Sequence, residues 1–184
     1  MKRIATVALL FQFAIAGLYA DDRSTNVKMN VSGDSLATTI NLQDQTNTDE
    51  EKLAGDGAFG SFTYHGLRAD GESQDPADPA ACSTPLFFPV ATGTGVFRFD
   101  DGSLLVVNIT GGGVCIDLAA GKAQLTENYT IASGTGRFEH AAGSLTLVGS
   151  LIPVVFNTAG NPQLLTLTGK FEGTVTGVSH GKDR

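Results

Sequence analysis

The chain has 184 residues, with 19 acidic against 12 basic side chains and a formal net charge of −7. It contains no cluster of lysine and arginine, so the sequence offers no basis for counterion release from nucleic acid or for attraction to anionic lipid headgroups. The composition predicts no nucleic-acid partner and favours a neutral, cationic or apolar one.

Residues 1–20 have the pattern of a secretory signal peptide, in which basic residues precede an apolar stretch and small residues. The stretch is shorter than the roughly 20 residues that cross a bilayer, and no comparable run follows, so no membrane span is predicted. Cleavage would follow Ala16 or Ala20, and residues 21–184 are predicted to form a single domain with a polar N-terminal lead-in and a frayed C-terminal tail. We therefore expect an exported protein, periplasmic or extracellular.

Apolar and polar side chains alternate along most of the remaining chain, which predicts β-strands and no long helix. Residues 43–54 are polar and are predicted to be irregular, and a short strand is predicted near Phe138. The other predicted strands are, in chain order, 27–31, 36–42, 57–66, 86–99, 103–110, 114–118, 122–131, 144–151 and 164–176.

A glycine-containing phrase occurs twice, as GTGVF in Gly93–Phe97 and as GTGRF in Gly134–Phe138, with a weaker copy at Gly55–Phe59. Neither full copy completes GxGxxG or leads into a helix, so these glycines indicate bulges or tight bends and no phosphate loop. Gly111–Gly113 is interpreted as a hairpin connection. Repeated hairpins marked by glycine predict an all-β architecture.

About eight strands in an open sheet would leave long unpaired edges, and closure into a barrel removes them. We therefore predict an all-β fold with a single closed antiparallel β-barrel of about eight strands, in preference to a sandwich. In the final strand Leu167, Phe171 and Val175 share one face with Gly169 and Gly173. Inward-facing glycines permit the sharp coiling of a closed sheet and leave space inside.

Cys82 and Cys115 are the only cysteines. Export to an oxidising compartment favours a disulfide between them, and two buried free thiols are the alternative. Neither a CxxC spacing nor a nearby histidine supports a zinc site.

The segment Leu104–Ile109 is apolar on both faces of its predicted strand. We expect the outer face of such a strand to be covered by the loop that carries Cys82, or to pack against another copy of the protein in a homo-oligomer. Both alternatives remain open at the level of the sequence.

Residues Tyr129–Glu139, followed by Gly143–Leu147, resemble a pattern of the allene oxide cyclase and dirigent-like barrels. The pattern is a Gly-(Thr/Ser)-Gly-x-Phe turn, a further glycine and an alternating strand, and many secreted bacterial proteins of unassigned role share it. The resemblance implies a small antiparallel barrel, often oligomeric, with an apolar lumen. In the plant members the lumen holds a reactive lipid or phenolic intermediate and steers how it cyclises or couples. No catalytic residue is carried over, because the family's lumen carboxylates lie outside this motif.

Glu127 is a carboxylate among apolar residues on one face of its predicted strand. If that face lines the lumen, Glu127 is a candidate general acid or orienting hydrogen-bond acceptor, with Tyr129 beside it. The alternative is a position near the barrel mouth, where the carboxylate is hydrated or hydrogen-bonded. His140 occupies the repeat position of Phe99, which indicates either a lumen partner for Glu127 or Tyr129, or an exposed histidine on the rim. The candidate catalytic residues are therefore Glu127, Tyr129 and His140.

Asp70, Glu72, Asp75 and Asp78 crowd one proline-containing loop. Their spacing does not match an EF-hand, and acidic loops are commonly only solvated. We predict no metal and no cofactor.

The leading hypothesis is an exported barrel that binds a small apolar molecule in its lumen without transforming it. The predicted ligand-binding residues are Phe97, Phe99, Glu127, Tyr129, Phe138, His140 and Phe171. One alternative is a cofactor-free cyclase or isomerase that holds an apolar substrate in a reactive conformation. A second alternative is a structural or surface-interaction protein.

Overall fold

The computed structural model of this protein describes residues 24–41, 46–74, 82–84 and 86–179. The predicted signal peptide, with its cleavage position, lies outside the described residues, as do Asp75 and Asp78 of the acidic loop and residues 180–184 of the predicted tail.

The described residues form eight antiparallel strands in a closed barrel, where each strand pairs with the next and the last pairs with the first. The predicted fold class is therefore confirmed. No helix in the described ranges has the length and hydropathy of a membrane span. The elements are β1 (Thr25–Asn41), β2 (Thr46–Gly57), β3 (Phe62–Asp70), β4 (Leu86–Phe99), β5 (Leu104–Asp117), β6 (Lys122–Gly134), a 3₁₀ helix (Gly136–Phe138), β7 (Ala142–Phe156) and β8 (Pro162–Thr176).

One end of the barrel is closed by aromatic side chains. The connections β2–β3, β4–β5 and β6–β7 lie at this closed end. The ring of Phe138 packs against Phe59 at 5.2 Å and against Phe99 at 4.7 Å between centroids. The Arg137 guanidinium lies over the Phe99 and Phe138 rings, 4.9 Å from each centroid. The opposite end, at which β1, β3, β5 and β7 end, is called here the open end.

The interior next to the closed end is a packed aromatic and aliphatic core. Alternation along β8 places Leu167, Phe171 and Val175 inside, each fully buried. The Phe171 ring packs on Phe97 with centroids 4.9 Å apart and on Tyr64 at 5.5 Å. This half of the lumen is therefore filled by the protein itself, as in any close-packed core.

The two strands predicted at 27–31 and 36–42 are one continuous strand, β1. Its inward face carries Val27, Met29 and Val31, whereas Leu36 points outward and is 44% exposed. Gly33 lies opposite Leu53 of β2. A Cβ at Gly33 would lie 2.8 Å from the Leu53 Cα. This glycine therefore serves a close backbone approach within a strand and does not mark a break.

The prediction of irregular structure for 43–54 is wrong, because β2 occupies Thr46–Gly57. The strand was not recognised because its inward positions include Asp49 and Glu51, which are 4% and 1% exposed. Polar residues on the inner face remove the apolar alternation by which strands are recognised. The strand predicted at 57–66 begins later, at Phe62, and extends to Asp70.

The strands predicted at 103–110 and 114–118 also form one strand, β5, and Gly111–Gly113 is not a hairpin connection. The pairing of β5 with β6 is irregular between Ile109 and Gly111. Gly111 and Gly112 have positive φ values of 155° and 116°, which glycine adopts at little cost. The irregularity is therefore a bulge at Thr110, and Gly111–Gly113 continue β5 beyond it, paired with Thr126–Asn128 of β6.

The two full copies of the glycine repeat have different structures. Gly93–Phe97 lies inside β4, whereas Gly134–Phe138 ends β6 and forms the 3₁₀ helix, so the short strand predicted near Phe138 is wrong. Gly136 has a positive φ of 61°, a backbone conformation that favours glycine over residues with a side chain. Both phenylalanines are nevertheless fully buried. The repeat thus predicted burial correctly, although its copies are not equivalent backbone units.

The predicted disulfide between Cys82 and Cys115 is present, with Cα atoms 5.7 Å apart. It ties the β3–β4 connection to β5 near the open end. The two-faced segment Leu104–Ile109 lies nearer the closed end of the same strand. There Leu105, Val107 and Ile109 point inward and are buried, whereas Leu104 and Val106 are half-buried.

Candidate functional site

A cluster of charged side chains is buried inside the barrel between the aromatic core and the open end. We call it the buried cluster; its members are Asp49, Glu51, Arg68, Asp70 and Glu127. Arg68 Nη1 donates hydrogen bonds to Glu51 Oε1 at 2.7 Å and to Glu127 Oε1 at 2.9 Å. Its Nε donates to Asp70 Oδ1 at 3.1 Å, and its Nη2 lies 3.3 Å from Asp49 Oδ2. A single guanidinium therefore holds four carboxyl groups.

The strand register explains how these residues meet. On β3 the inward face continues from Phe62 and Tyr64 to Arg68 and Asp70. Asp49 of β2 is the direct partner of Arg68 in the sheet, so the two side chains lie side by side on the inner wall. Glu127 comes from β6, which is not a neighbour of β3, and reaches Arg68 through the interior.

Two hydroxyl groups complete the cluster. The Tyr129 hydroxyl donates a hydrogen bond to Glu127 Oε2. Ser35 Oγ donates to Asp49 Oδ1 at 3.3 Å, and Ser35 is fully buried. Glu51 Oε2, in contrast, has no hydrogen-bond partner among the described residues. The cluster therefore has more acceptor oxygens than donors to satisfy them.

Burial dominates the electrostatics of the carboxyl groups. Loss of hydration raises the pKa of Asp70 to about 7; the charge of Arg68 opposes this rise, and Asp49 adds to it. Burial, followed by repulsion from Glu127, raises the pKa of Glu51 well above its usual value. Burial opposes the charge of Arg68, but the surrounding carboxylates outweigh it and raise the Arg68 pKa. The arginine therefore stays charged, whereas Glu51 and Asp70 keep their protons to a higher pH than hydrated carboxyl groups do.

A cavity of about 330 Å³ opens from the cluster towards the open end of the barrel. Asp49, Arg68 and Asp70 form its polar floor. Polar side chains near the β7–β8 connection, among them Asn157 and Gln163, lie at its mouth. The apolar wall is formed by Phe88, Val114, Ile116, Ala123, Leu151 and Leu165.

The structure separates the residues that the sequence grouped as ligand-binding. Phe97, Phe99, Phe138 and Phe171 lie in the packed core, and none of them lines the cavity. His140 is exposed in the turn after the 3₁₀ helix, so of its two alternatives the structure shows the rim position.

Glu127 and Tyr129 are buried inside the barrel and bonded to each other, 0% and 1% exposed. Of the alternative, the hydrated position at the mouth is therefore wrong, whereas the hydrogen-bonded carboxylate is observed. Neither residue lines the cavity, because Arg68 lies at its floor and binds Glu127 from within the cluster. Glu127 and Tyr129 therefore lie behind Arg68 and would not contact a ligand in the cavity.

Sequence reasoning missed Arg68, Asp49 and Glu51 and treated Asp70 only as part of an acidic loop. A signal for two of them was present, since Arg68 and Asp70 have the same strand parity as Phe62 and Tyr64. No such signal existed for β2, where the buried positions are themselves acidic.

The arrangement can bind a molecule that has an apolar body and groups able to donate hydrogen bonds to carboxylate oxygens. Asp70 can also give or take a proton near neutral pH, because its pKa lies there. No group of three or more His, Cys, Asp or Glu side chains in the described ranges is placed to hold a metal ion. Comparisons of this chain with protein-family models, with curated proteins and with solved structures give no match.

Proposed function

We propose that the protein is exported and binds a small molecule with an apolar body in the open-end cavity. The observation that carries this proposal is a cavity of about 330 Å³ with an apolar wall and a small polar floor. Pockets for small ligands generally have this size and this combination of surfaces. The proposal places the ligand near Phe88, Ile116 and Leu151, away from the aromatic core.

Two features of the chain support export. Residues 1–20 have the composition of a signal peptide. The disulfide between Cys82 and Cys115 is of the kind that forms and persists in oxidising compartments. A relationship to the allene oxide cyclase and dirigent-like barrels remains a proposal that rests on the glycine motif, and it is consistent with ligand binding inside the lumen.

Binding can be tested with N-phenyl-1-naphthylamine, a neutral dye that fluoresces in apolar surroundings. Ala123 is buried on β6 and lines the cavity, so Ala123→Phe should fill part of it and weaken dye binding at least about tenfold. Ala132→Phe is the matched control, because Ala132 is exposed on the same strand. Equal binding by the wild type and both variants would place the dye elsewhere and contradict the proposal.

A cofactor-free cyclase or isomerase is the second candidate, and the position of Asp70 favours it. The Asp70 carboxyl lines the cavity and its pKa of about 7 suits a general acid or base. Proton removal from 5-nitrobenzisoxazole, a small apolar probe of carboxylate bases, measures this capacity. We expect a rate above background that rises with pH near 7 and is lost in Asp70→Asn; no rate above background argues against catalysis.

A structural or surface-interaction role has support from β7. Its outer side exposes large apolar side chains towards the open end, namely Val148, Ile152, Val154 and Phe156. Exposed apolar patches often mark contacts between proteins. A second copy of the chain is the occupant to test, by sedimentation of the wild type and of Ile152→Ser over a range of concentrations. A monomer at all concentrations contradicts this role.

A further inference from the structure

The buried cluster has an excess of acidic groups at the place where a ligand would reach it. Among the described residues one guanidinium faces four carboxyl groups. Two of those carboxyls, Asp49 and Asp70, line the cavity. The cluster therefore presents to the cavity two acidic groups whose only cationic partner is already shared.

The hydrogen-bonding capacity of the cluster points in the same direction. The Nε and both Nη atoms of Arg68 already contact carboxylates, so its guanidinium has little capacity left for an anionic ligand. Glu51 Oε2 is buried within the cluster and has no partner in the described part of the chain. The cluster thus contains a buried polar atom that the protein's described groups do not satisfy.

Taking ligand binding in the open-end cavity as given, we propose that the ligand is an amphipathic organic cation. Its ammonium group binds at Asp49 and Asp70, and its apolar part packs against Phe88, Ile116 and Leu151. An ammonium supplies three N–H donors and a positive charge, which are the two properties that the floor lacks. A carboxylate or phosphate ligand would instead meet like charges in a poorly hydrated site.

The test uses three probes that have the same eight-carbon alkyl chain and differ in the head group: octylammonium, octanol and octanoate. Each competes with N-phenyl-1-naphthylamine at pH 7.5. We expect octylammonium to bind about tenfold or more tightly than octanol, because a charge-assisted hydrogen bond is stronger than a neutral one. Octanoate should bind most weakly. Asp70→Asn should remove most of the advantage of octylammonium while leaving octanol binding close to the wild-type value.

Asp49→Asn provides a second variant in case Asp70→Asn does not fold, and thermal unfolding of each variant reports on the fold. Equal binding of octylammonium and octanol, or tighter binding of octanoate, overturns the cationic ligand but leaves the binding cavity intact. A failure of all three probes to compete in the wild type overturns this inference. If Ala123→Phe also leaves dye binding unchanged, the proposed function fails with it.

Discussion

Arg68 Nη1 and Glu127 Oε1 lie 2.9 Å apart inside the barrel, although 59 residues separate them in the chain. Both side chains are almost completely buried, at 3% and 0% exposure. Burial of either charge alone would be strongly unfavourable, so each depends on the other and on the remaining carboxyl groups. The pair links β3 to β6 through the lumen, between strands that share no backbone hydrogen bonds.

Replacement of Arg68 by Met should therefore destabilise the barrel by about 3–5 kcal/mol at pH 7.5, the usual cost of breaking a buried ion pair. At pH 5 the loss should be smaller, because carboxyl groups left without a cation can take up protons. Urea unfolding at both pH values measures the two losses. Arg98→Met is the control, since Arg98 is exposed on β4 and should change stability by no more than about 0.5 kcal/mol. An equal loss at both pH values would show that packing, and not charge, explains the effect.

The stability of the folded protein should fall as the pH rises from about 5 to about 7. The Asp70 pKa rises from 3.8 to about 7 on folding, and the Glu51 pKa is also raised. In this window the folded protein retains protons that the unfolded chain has lost, so each such group lowers the free energy of unfolding by up to about 1.4 kcal/mol per pH unit. The half-buried Glu50 and Glu172 have lowered pKa values, through hydrogen bonds from Lys52 and Lys170, and their titration changes stability only below about pH 4.5, outside this window.

Urea unfolding at half-unit pH steps measures this slope, and Asp70→Asn should reduce it without abolishing it, because Glu51 remains. A stability that rises continuously between pH 5 and 7 would contradict the raised pKa values.

The sequence predicted the barrel better than it predicted the site, for a physical reason. Strands such as β8 alternate apolar and polar residues, so their faces can be assigned from the sequence alone. Glu127 was identified for the same reason, as a carboxylate that interrupts an apolar face. Asp49 and Glu51 were not identified because β2 buries acidic residues, which removes the apolar alternation of a strand. Their burial depends on Arg68, which contacts both side chains. That partnership depends on strand register, which the sequence pattern of a single strand does not contain.

The disulfide should contribute about 3–4 kcal/mol to stability, since it closes a loop between residues 33 apart and so restricts the unfolded chain. Urea unfolding of the wild type with and without a reducing agent, compared with Cys82→Ser/Cys115→Ser, measures this contribution. The double variant should match the reduced wild type and should not respond to the reductant. Identical midpoints for the oxidised and reduced wild type would contradict the prediction.

Gly95, in the first copy of the glycine repeat, should be required for the packing of Tyr64. Gly95 and Gly66 are direct partners on β4 and β3, and the Tyr64 ring lies over both. A Cβ would lie 2.6 Å from the Tyr64 Cζ at Gly95 and 2.7 Å from it at Gly66, and the ring is 1% exposed and cannot swing into solvent. Gly95→Ala should therefore cost about 1–3 kcal/mol by overpacking.

A double-mutant cycle with Tyr64→Leu tests whether the tyrosine ring is the cause of that loss. The Gly95→Ala substitution should cost less in the Tyr64→Leu background, because the smaller side chain leaves room for the added methyl group. Gly149→Ala is the control for a glycine on the barrel wall, since its Cβ would come no closer than 3.2 Å to Thr168 O. A full loss from Gly95→Ala in both backgrounds would mean that strand geometry at Gly95, and not the Tyr64 ring, requires the glycine.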